Sequence, residues 1–412
     1  MTATTAQRRS APVVVSSPIT WARTHLFRTW WDSLLTIVFG ALAAWAMVAL
    51  VRFVATADLT ILRVNLANFM VGRLPRDQMW RPALSMVLVM AAIGFIGGVA
   101  SASARAAATE AGLPFRVTRP VEILRRQWPL LATIAAVLAL TRSIGPTVAV
   151  VSGLAAASVA YLLARRSPPV VRKWAWLIAL TMFVAAYLAL TVAGGVGWNG
   201  WGGIHLNLFI TAAGILLAFP IGLLLALGRR SSLPAVRWLS VTYIELIRGV
   251  PLITLLLLGI FAIGYFLPAG LAPGAVARVL TAITLFEAAY IAEVVRGGLQ
   301  AVPAGQREAS QALGMTPWKT MRRIILPQAL RATIPAMVGQ FISLYKDTTL
   351  VSLVGLFDVL TVSGAANSQP DFLAQGFEVV TLPFVALLFW VGSYSMSREA
   401  RRLERRLGVG ER

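Results

Sequence analysis

The sequence predicts an all-α, polytopic membrane helical bundle, and its composition and charge pattern carry that prediction. Of 412 residues, 58% are hydrophobic and the mean hydropathy is +0.75. The apolar residues gather into runs that approach or exceed the ~18–20 residues needed to span a bilayer. The net charge of +21 comes from arginines clustered between those runs, with no stripe of interleaved stacking aromatics. They read as topology signals with some attraction to anionic membrane lipid, and not as a nucleic-acid surface. Cysteine is absent and His25 and His205 are the only histidines, which argues against disulfides, thiolate chemistry and Cys/His metal sites. No G-x-x-x-x-G-K-[ST] pattern occurs, so ATP hydrolysis would belong to another chain. No catalytic, cofactor-binding or metal residue is expected on this one.

Residues 1–33 are expected to form a cytoplasmic and interfacial segment. Arg8 and Arg9 precede mixed sequence with no small-residue cleavage site, unlike a removed signal. Trp21–Asp32 mixes Arg23 and Arg28 with Trp21, Phe27, Trp30 and Trp31, a composition suited to the membrane interface.

An N-terminal extension with about five extra spans then covers 34–200. Leu34–Val54 is the first span, 55–80 an outer loop, and Ala83–Ala100 a return with Gly94 and Gly98 as a small-residue packing face. Arg105, Arg116, Arg119, Arg125 and Arg126 place 103–127 inside, as do Arg165 and Arg166 further on. A helix between Arg126 and Arg165 would run roughly 57 Å, about two membrane cores, so a hairpin turning near Ser143–Pro146 is expected. Trp174–Ala193 exits to the Gly/Trp-rich stretch Gly194–Gly203, read as a flexible outer linker.

Residues 201–397 carry about five further spans: Leu206–Leu227, Pro251–Leu267, Ala275–Val295, Ile334–Leu356 and Val380–Met396. An outer loop over 357–377 precedes the last, and a basic cytoplasmic tail, 398–412, follows it. About ten spans with both termini inside satisfy every arginine cluster; without the short hairpin the number falls to about eight.

The most informative stretch is the polar, basic loop 300–327 between two apolar runs. It contains Glu308-Ala309-Ser310, then Gly314, then Ile324-Ile325-Leu326-Pro327. Glu308, Ala309 and Ala312 suit a short helix with Glu308 towards its N-terminal side. Gly314 can take a left-handed C-cap conformation, and Pro317 prevents the helix from continuing. The expectation is a compact helix–turn–helix that seats Ala309, Ala312 and Leu313 in a soluble partner. Arg307, Lys319 and Arg322 could pair with rim carboxylates there or serve topology alone.

This spacing resembles the EAA loop of ATP-binding cassette (ABC) importer permeases, with Ser310 in place of the second alanine. Tyr243–Ile253 resembles the Y-[VI]-E-x-x-R-G-x-P-L segment of polar amino acid permeases, which includes Glu245 and Arg248. Ala289–Gln300, with Glu293 and Arg296, runs into the loop as in that family. Leu344–Val351 is similar to its K-D-[ST]-[ST]-L-V segment, and Ser397–Leu407 to its basic tail. The long N-terminus resembles the general L-amino acid (Aap/Bzt-type) subfamily, second permease subunit. The resemblance implies a type I ABC importer in the bacterial inner membrane. It implies a sister permease, an ATPase dimer that holds ATP-Mg, and a periplasmic amino-acid-binding protein. Import, broad L-amino acid uptake and heterodimeric pairing are implied in the same way.

Charges at membrane depth are the second clue. Glu287, Lys346 and Asp347 fall within apolar runs, where charge costs several kcal/mol unless it pairs or lines a wet cavity. Glu287 with Lys346, helped by Thr348 and Thr349, could receive the ammonium and carboxylate of an amino acid. An internal Glu–Lys or Lys–Asp pair accounts for the same residues, and Glu287 matches no family motif. Glu245, Arg248, Glu293 and Arg296 are gating candidates or helix-end anchors. A secondary, ion-coupled transporter would also carry such charges, but it would need repeated halves and would not explain the 308–327 spacing.

Overall fold

Apolar runs become helices here, and polar or glycine-rich sequence ends them. The computed structural model describes residues 18–112, 114–115, 119–141, 144–191, 201–268 and 273–407. Among these no strand forms beyond an isolated bridge between Gly203 and Asp358. The chain divides into two compact units, Met1–Leu59 and Thr60–Arg412.

In the first unit, α1 (Pro18–His25) precedes α2 (Trp30–Thr56). Thr29 starts α2 with a capping box: its hydroxyl accepts from the Asp32 N–H, and the Asp32 carboxylate accepts from the Thr29 N–H at 3.1 Å. Apolar side chains cover every side of α2, and Phe39, Trp45 and Val51 are exposed, as expected of a helix solvated by lipid.

The second unit continues with α3 (Thr60–Val71), α4 (Trp80–Glu110), α5 (Pro120–Arg126), α6 (Trp128–Thr141), α7 (Ile144–Ala164), α8 (Pro169–Lys173) and α9 (Ala175–Thr191). Then follow α10 (Gly203–Gly228), α11 (Pro234–Arg248), α12 (Leu252–Phe266), α13 (Ala275–Ala301), α14 (Ala304–Ala312), α15 (Pro317–Thr320), α16 (Leu326–Asp347), α17 (Val359–Asn367) and α18 (Glu378–Leu407). Helix α4 packs on α7 and α9, α10 on α13 and α3, and α16 on α13 and α18. The expected small-residue face of α4 forms, for Gly94 and Gly98 lie against the α7 backbone at Ala157 and Tyr161.

Six of the described helices are long and apolar enough to cross a bilayer, within α2, α4, α7, α10, α13 and α18; α11 and α12, bent by 105°, would together make a seventh. The expected hairpin arm α6 and the helix α9 fall short of that length. Helix α16 starts earlier than the run Ile334–Leu356, and Gln328, Arg331 and Gln340 dilute its apolar character. A 3-10 turn, Thr348–Val354, carries the chain onward.

Two expected loops are ordered parts of the core. Residues 55–80 contain α3, whose Ile61, Leu66 and Phe69 are buried. Arg63, Asn65 and Asn68 interrupt that run, so it falls short of a span in the sequence. Of the stretch read as a flexible linker, 194–200 lies outside the described residues, but Trp201–Gly203 is fixed. Trp201 is completely buried. The Gly202 N–H donates to the Val71 carbonyl and the Gly203 N–H to the Phe357 carbonyl, each at 2.9 Å. A β-carbon on Gly202 would collide with that Phe357 carbonyl, so this close approach requires glycine.

Candidate functional site

The loop joining α13 to α16 is exposed along nearly all of 303–319. Helix α14 closes with a left-handed Gly314 at φ +73°. The Gly314 N–H donates to the Gln311 carbonyl (2.9 Å) and the Met315 N–H to the Ser310 carbonyl (3.0 Å), the pairing of a Schellman cap. Thr316 then caps α15, and Pro317 occupies its first position. The result is a rigid double turn with Leu313 82% and Trp318 65% exposed. Ala309, Ala312, Arg307, Glu308 and Lys319 share that exposure.

One expectation changes. Helix α14 begins at Ala304 with no acidic residue in its first turn, so Glu308 sits mid-helix and does not complement the helix dipole. Ser310 is buried; its hydroxyl donates to the Arg307 carbonyl (2.7 Å) and pairs with the Thr320 hydroxyl (3.0 Å). It therefore clasps α14 to α15.

The loop is anchored on its inner side. Ile325 is buried and Leu326 half-buried among Ala288, Ile291, Val295 and Leu299 of α13. Ile324 is half-buried and Pro327 exposed. Residues Met321–Ile325 form a π-helical turn between α15 and α16, a looser hydrogen-bonding register that favours functional junctions. The Gln328 amide donates to the Ile324 carbonyl at 2.8 Å.

Glu245, Arg248, Glu293 and Arg296 do come together, and Arg229 joins them. Glu293 on α13 accepts from Arg296 Nε at 2.7 Å, with Arg229 at 3.5 Å and Arg248 at 3.7 Å. Arg229 also meets Glu245 at 2.9 Å. One carboxylate thus ties the end of α10, the end of α11 and the last turns of α13. Next to it the Arg230 guanidinium donates to the Leu299 carbonyl (3.3 Å). Burial and the nearby Arg307 guanidinium push Arg230 below its ordinary range, so the 304–327 loop abuts this ionic centre.

Glu287 lies mid-way along α13 and is 1% exposed. Gln340 and Asp347 of α16 face it, yet neither oxygen closes a hydrogen bond of ordinary geometry. Lys346 is exposed on α16, so the structure does not bring it to Glu287 as the sequence suggested. Asp347 accepts from Ser343 at 3.4 Å. Thr349 donates to the Lys346 carbonyl, and buried Thr348 donates to the Tyr345 carbonyl.

Thr348 also belongs to a network that sequence reasoning missed. The Asn207 amide of α10 donates to the Thr348 hydroxyl (3.1 Å) and to Asp358 (3.3 Å), and its oxygen accepts the Val359 N–H (3.1 Å). Asp358 caps α17 through the Thr361 N–H (2.9 Å). Burial raises the Asp358 carboxyl, and the hydrogen bonds from Thr361 and Asn207 offset part of that rise. An uncharged Asn at the start of an apolar run and an Asp distant from it in sequence offered no shared spacing to detect.

These features define a polytopic helical membrane protein whose bundle presents a stiff, exposed helix–turn–helix loop at its arginine-rich end. The family of binding-protein-dependent transport system inner membrane components matches residues 218–409. The inner membrane amino-acid ABC transporter permease protein YhdY of Escherichia coli K12 is 44% identical over 237 residues, 58% of this chain and 64% of that one. The glutamate/glutamine/aspartate/asparagine transport system permease protein BztC of Rhodobacter capsulatus is 50% identical over 208 residues, 50% of this chain and 48% of that one. The probable glutamine ABC transporter permease protein GlnP of Bacillus subtilis is 34% identical over 204 residues, covering 50% of this chain and 91% of that relative. The chain belongs to this family of inner membrane transport components. The matched stretch spans about half to two-thirds of the length of the first two relatives.

Proposed function

We propose that this chain is the membrane-spanning permease subunit of a type I ABC importer that carries L-amino acids across the bacterial inner membrane. The observation that carries this reading is the stiff loop Ala304–Pro327. It holds Leu313 and Trp318 out beside Arg307 and Lys319, while Ser310 clasps its two short helices together and Ile325 and Leu326 fix it to the bundle. Force applied at the tip passes directly into α13 and α16, as a lever between a soluble motor and membrane helices requires. The amino-acid permease relatives support the substrate class, and the absence of a nucleotide-binding motif supports a separate ATPase.

In this assembly an ATPase dimer seats the loop and holds ATP-Mg, a sister permease completes the pathway as a heterodimer, and a periplasmic amino-acid-binding protein delivers substrate. Both termini lie on the cytoplasmic side with the loop. Residues 201–397 form the translocating core, and 34–200 contribute further membrane helices. Glu287, with Asp347 and Gln340 facing it, is the substrate-pathway candidate for an ammonium group; Lys346, Thr348 and Thr349 stand at the end of α16 beyond it.

Cells carrying Gly314→Asp or Glu308→Lys should lose labelled L-amino acid uptake by an order of magnitude or more. The same variants should lose co-purified ATPase while membrane levels of the chain stay normal. Normal uptake with the ATPase still bound would remove the loop from coupling. Glu287→Gln should reduce uptake on the order of tenfold with ATPase association intact; unchanged uptake across an amino acid panel would take Glu287 out of the pathway.

A further inference from the structure

The reversal between α11 and α12 assigns α11 a different environment from the spans around it. The two helices meet at Gly249–Pro251 with a bend of 105°, so α11 crosses the bundle where α12 runs along it. Its contacts gather on the second half of α13 and the end of α10: Ser240 lies against Gly228, the Tyr243 hydroxyl donates to the Leu285 carbonyl (2.7 Å), and Ile244 joins the cluster of Ala288, Ile291 and Ala292. Arg248 reaches Glu293, which ties the end of α11 to the ionic centre.

Only Ser240 and Ile244 of α11 are buried. The side turned away from them exposes Trp238 (66%), Leu239 (60%) and Leu246 (64%), and Val236 is exposed in the turn before Ser240. Leu233, just before the helix, is exposed as well. An apolar face ending in a tryptophan on a helix lying across the bundle fits the boundary between headgroups and acyl chains. The charge around it is one-sided. Arg229, Arg230, Arg237, Arg248 and Arg296 stand against Glu245 and Glu293, and Arg237 projects from the exposed part of α11 itself. Burial leaves the Arg248 Nε without a hydrogen-bond partner.

We propose that α11 lies flat in the membrane–water interface, and that its arginines with those at the end of α10 hold the phosphate of an anionic phospholipid. The apolar face seats in the acyl boundary and the guanidiniums take the headgroup, which is the complementarity a lipid surface supplies.

The natural absence of cysteine makes the test direct. Single-cysteine variants Trp238→Cys, Leu239→Cys and Leu246→Cys are spin-labelled in the full chain in nanodiscs, with Leu258→Cys on α12 as a deep reference. Depth is read by collision with oxygen and with a water-soluble nickel complex. Equal, shallow depth along α11 is expected, with Leu258 deeper. Steadily increasing depth along α11 would make it part of a span and overturn the proposal. Water-exposed labels would mean that a soluble partner covers the face, and labels shielded from both agents a second copy of the chain; either result overturns it too.

Native mass spectrometry from mixed phosphatidylglycerol and phosphatidylcholine then reads the headgroup. Arg237→Gln should lower phosphatidylglycerol retention about fivefold, the share of one arginine at a charged surface. Equal retention of both lipids by the unaltered chain would overturn the anionic site.

Discussion

Trp201→Ala should destabilise the purified protein by about 3 kcal/mol, seen as unfolding at a markedly lower denaturant concentration. Large aromatic truncations in packed cores cost about 3–5 kcal/mol. The lower end applies here because, for a bundle in lipid, transfer from water contributes less and lost packing contributes most. Trp201 is completely buried and stands edge-on to His205 (5.4 Å) and Phe209 (5.6 Å). Its removal also loosens the neighbouring backbone bonds from Gly202 and Gly203, so the cavity opens where α3, α10 and the Phe357 segment meet. Trp201→Phe should recover more than half of the loss. A change below about 1 kcal/mol for the alanine variant would show that this corner is not part of the load-sharing core.

Glu293→Ala should cost about 2 kcal/mol, measured in the same way. Breaking a fully buried pair costs about 3–5 kcal/mol, but this one is partly solvated, with Glu293 22% exposed and its arginine partners 26–33% exposed, so screening reduces the effect. The direction follows from what remains: Arg229, Arg248 and Arg296 converge on a vacated position and repel. The double variant Glu293→Ala/Arg296→Ala should therefore be more stable than Glu293→Ala alone. If Arg296→Ala instead adds a full second penalty, Glu293 is not the shared counter-ion of the three helices.

The turn at Gly314 was legible because its physics is local. A polar segment between apolar runs, a glycine suited to positive φ and a proline that stops a helix all lie within one short window. What the sequence hid depends on distance or on direction. Asn207 and Asp358 meet only after the bundle forms. Arg229 looked like one more topology arginine, because nothing in its neighbourhood names Glu293 as a partner. Ser310 occupies the motif position expected, but only the turn at Gly314 reveals that its hydroxyl points back to Thr320. Lys346 and Glu287 share membrane depth along the chain, and the facing of α16 separates them. The same limit explains α3, whose polar residues interrupt a run that tertiary contacts with α10 and α17 nevertheless bury.

The backbone bonds of Gly202 and Gly203 bear on where this chain could be divided. Val71 sits before most of the N-terminal sequence, and Phe357 lies in the last third, yet their carbonyls hold the adjacent Gly202 and Gly203. A fragment beginning at Trp201 would carry the family-matched region complete and still have an open wound: the seat vacated by Ile61, Leu66 and Phe69, and a Gly202 amide with nothing to bond. Modularity along the sequence therefore does not become modularity in space. Any excised version of the transport core would have to keep α3, or fill its place with something of equal shape.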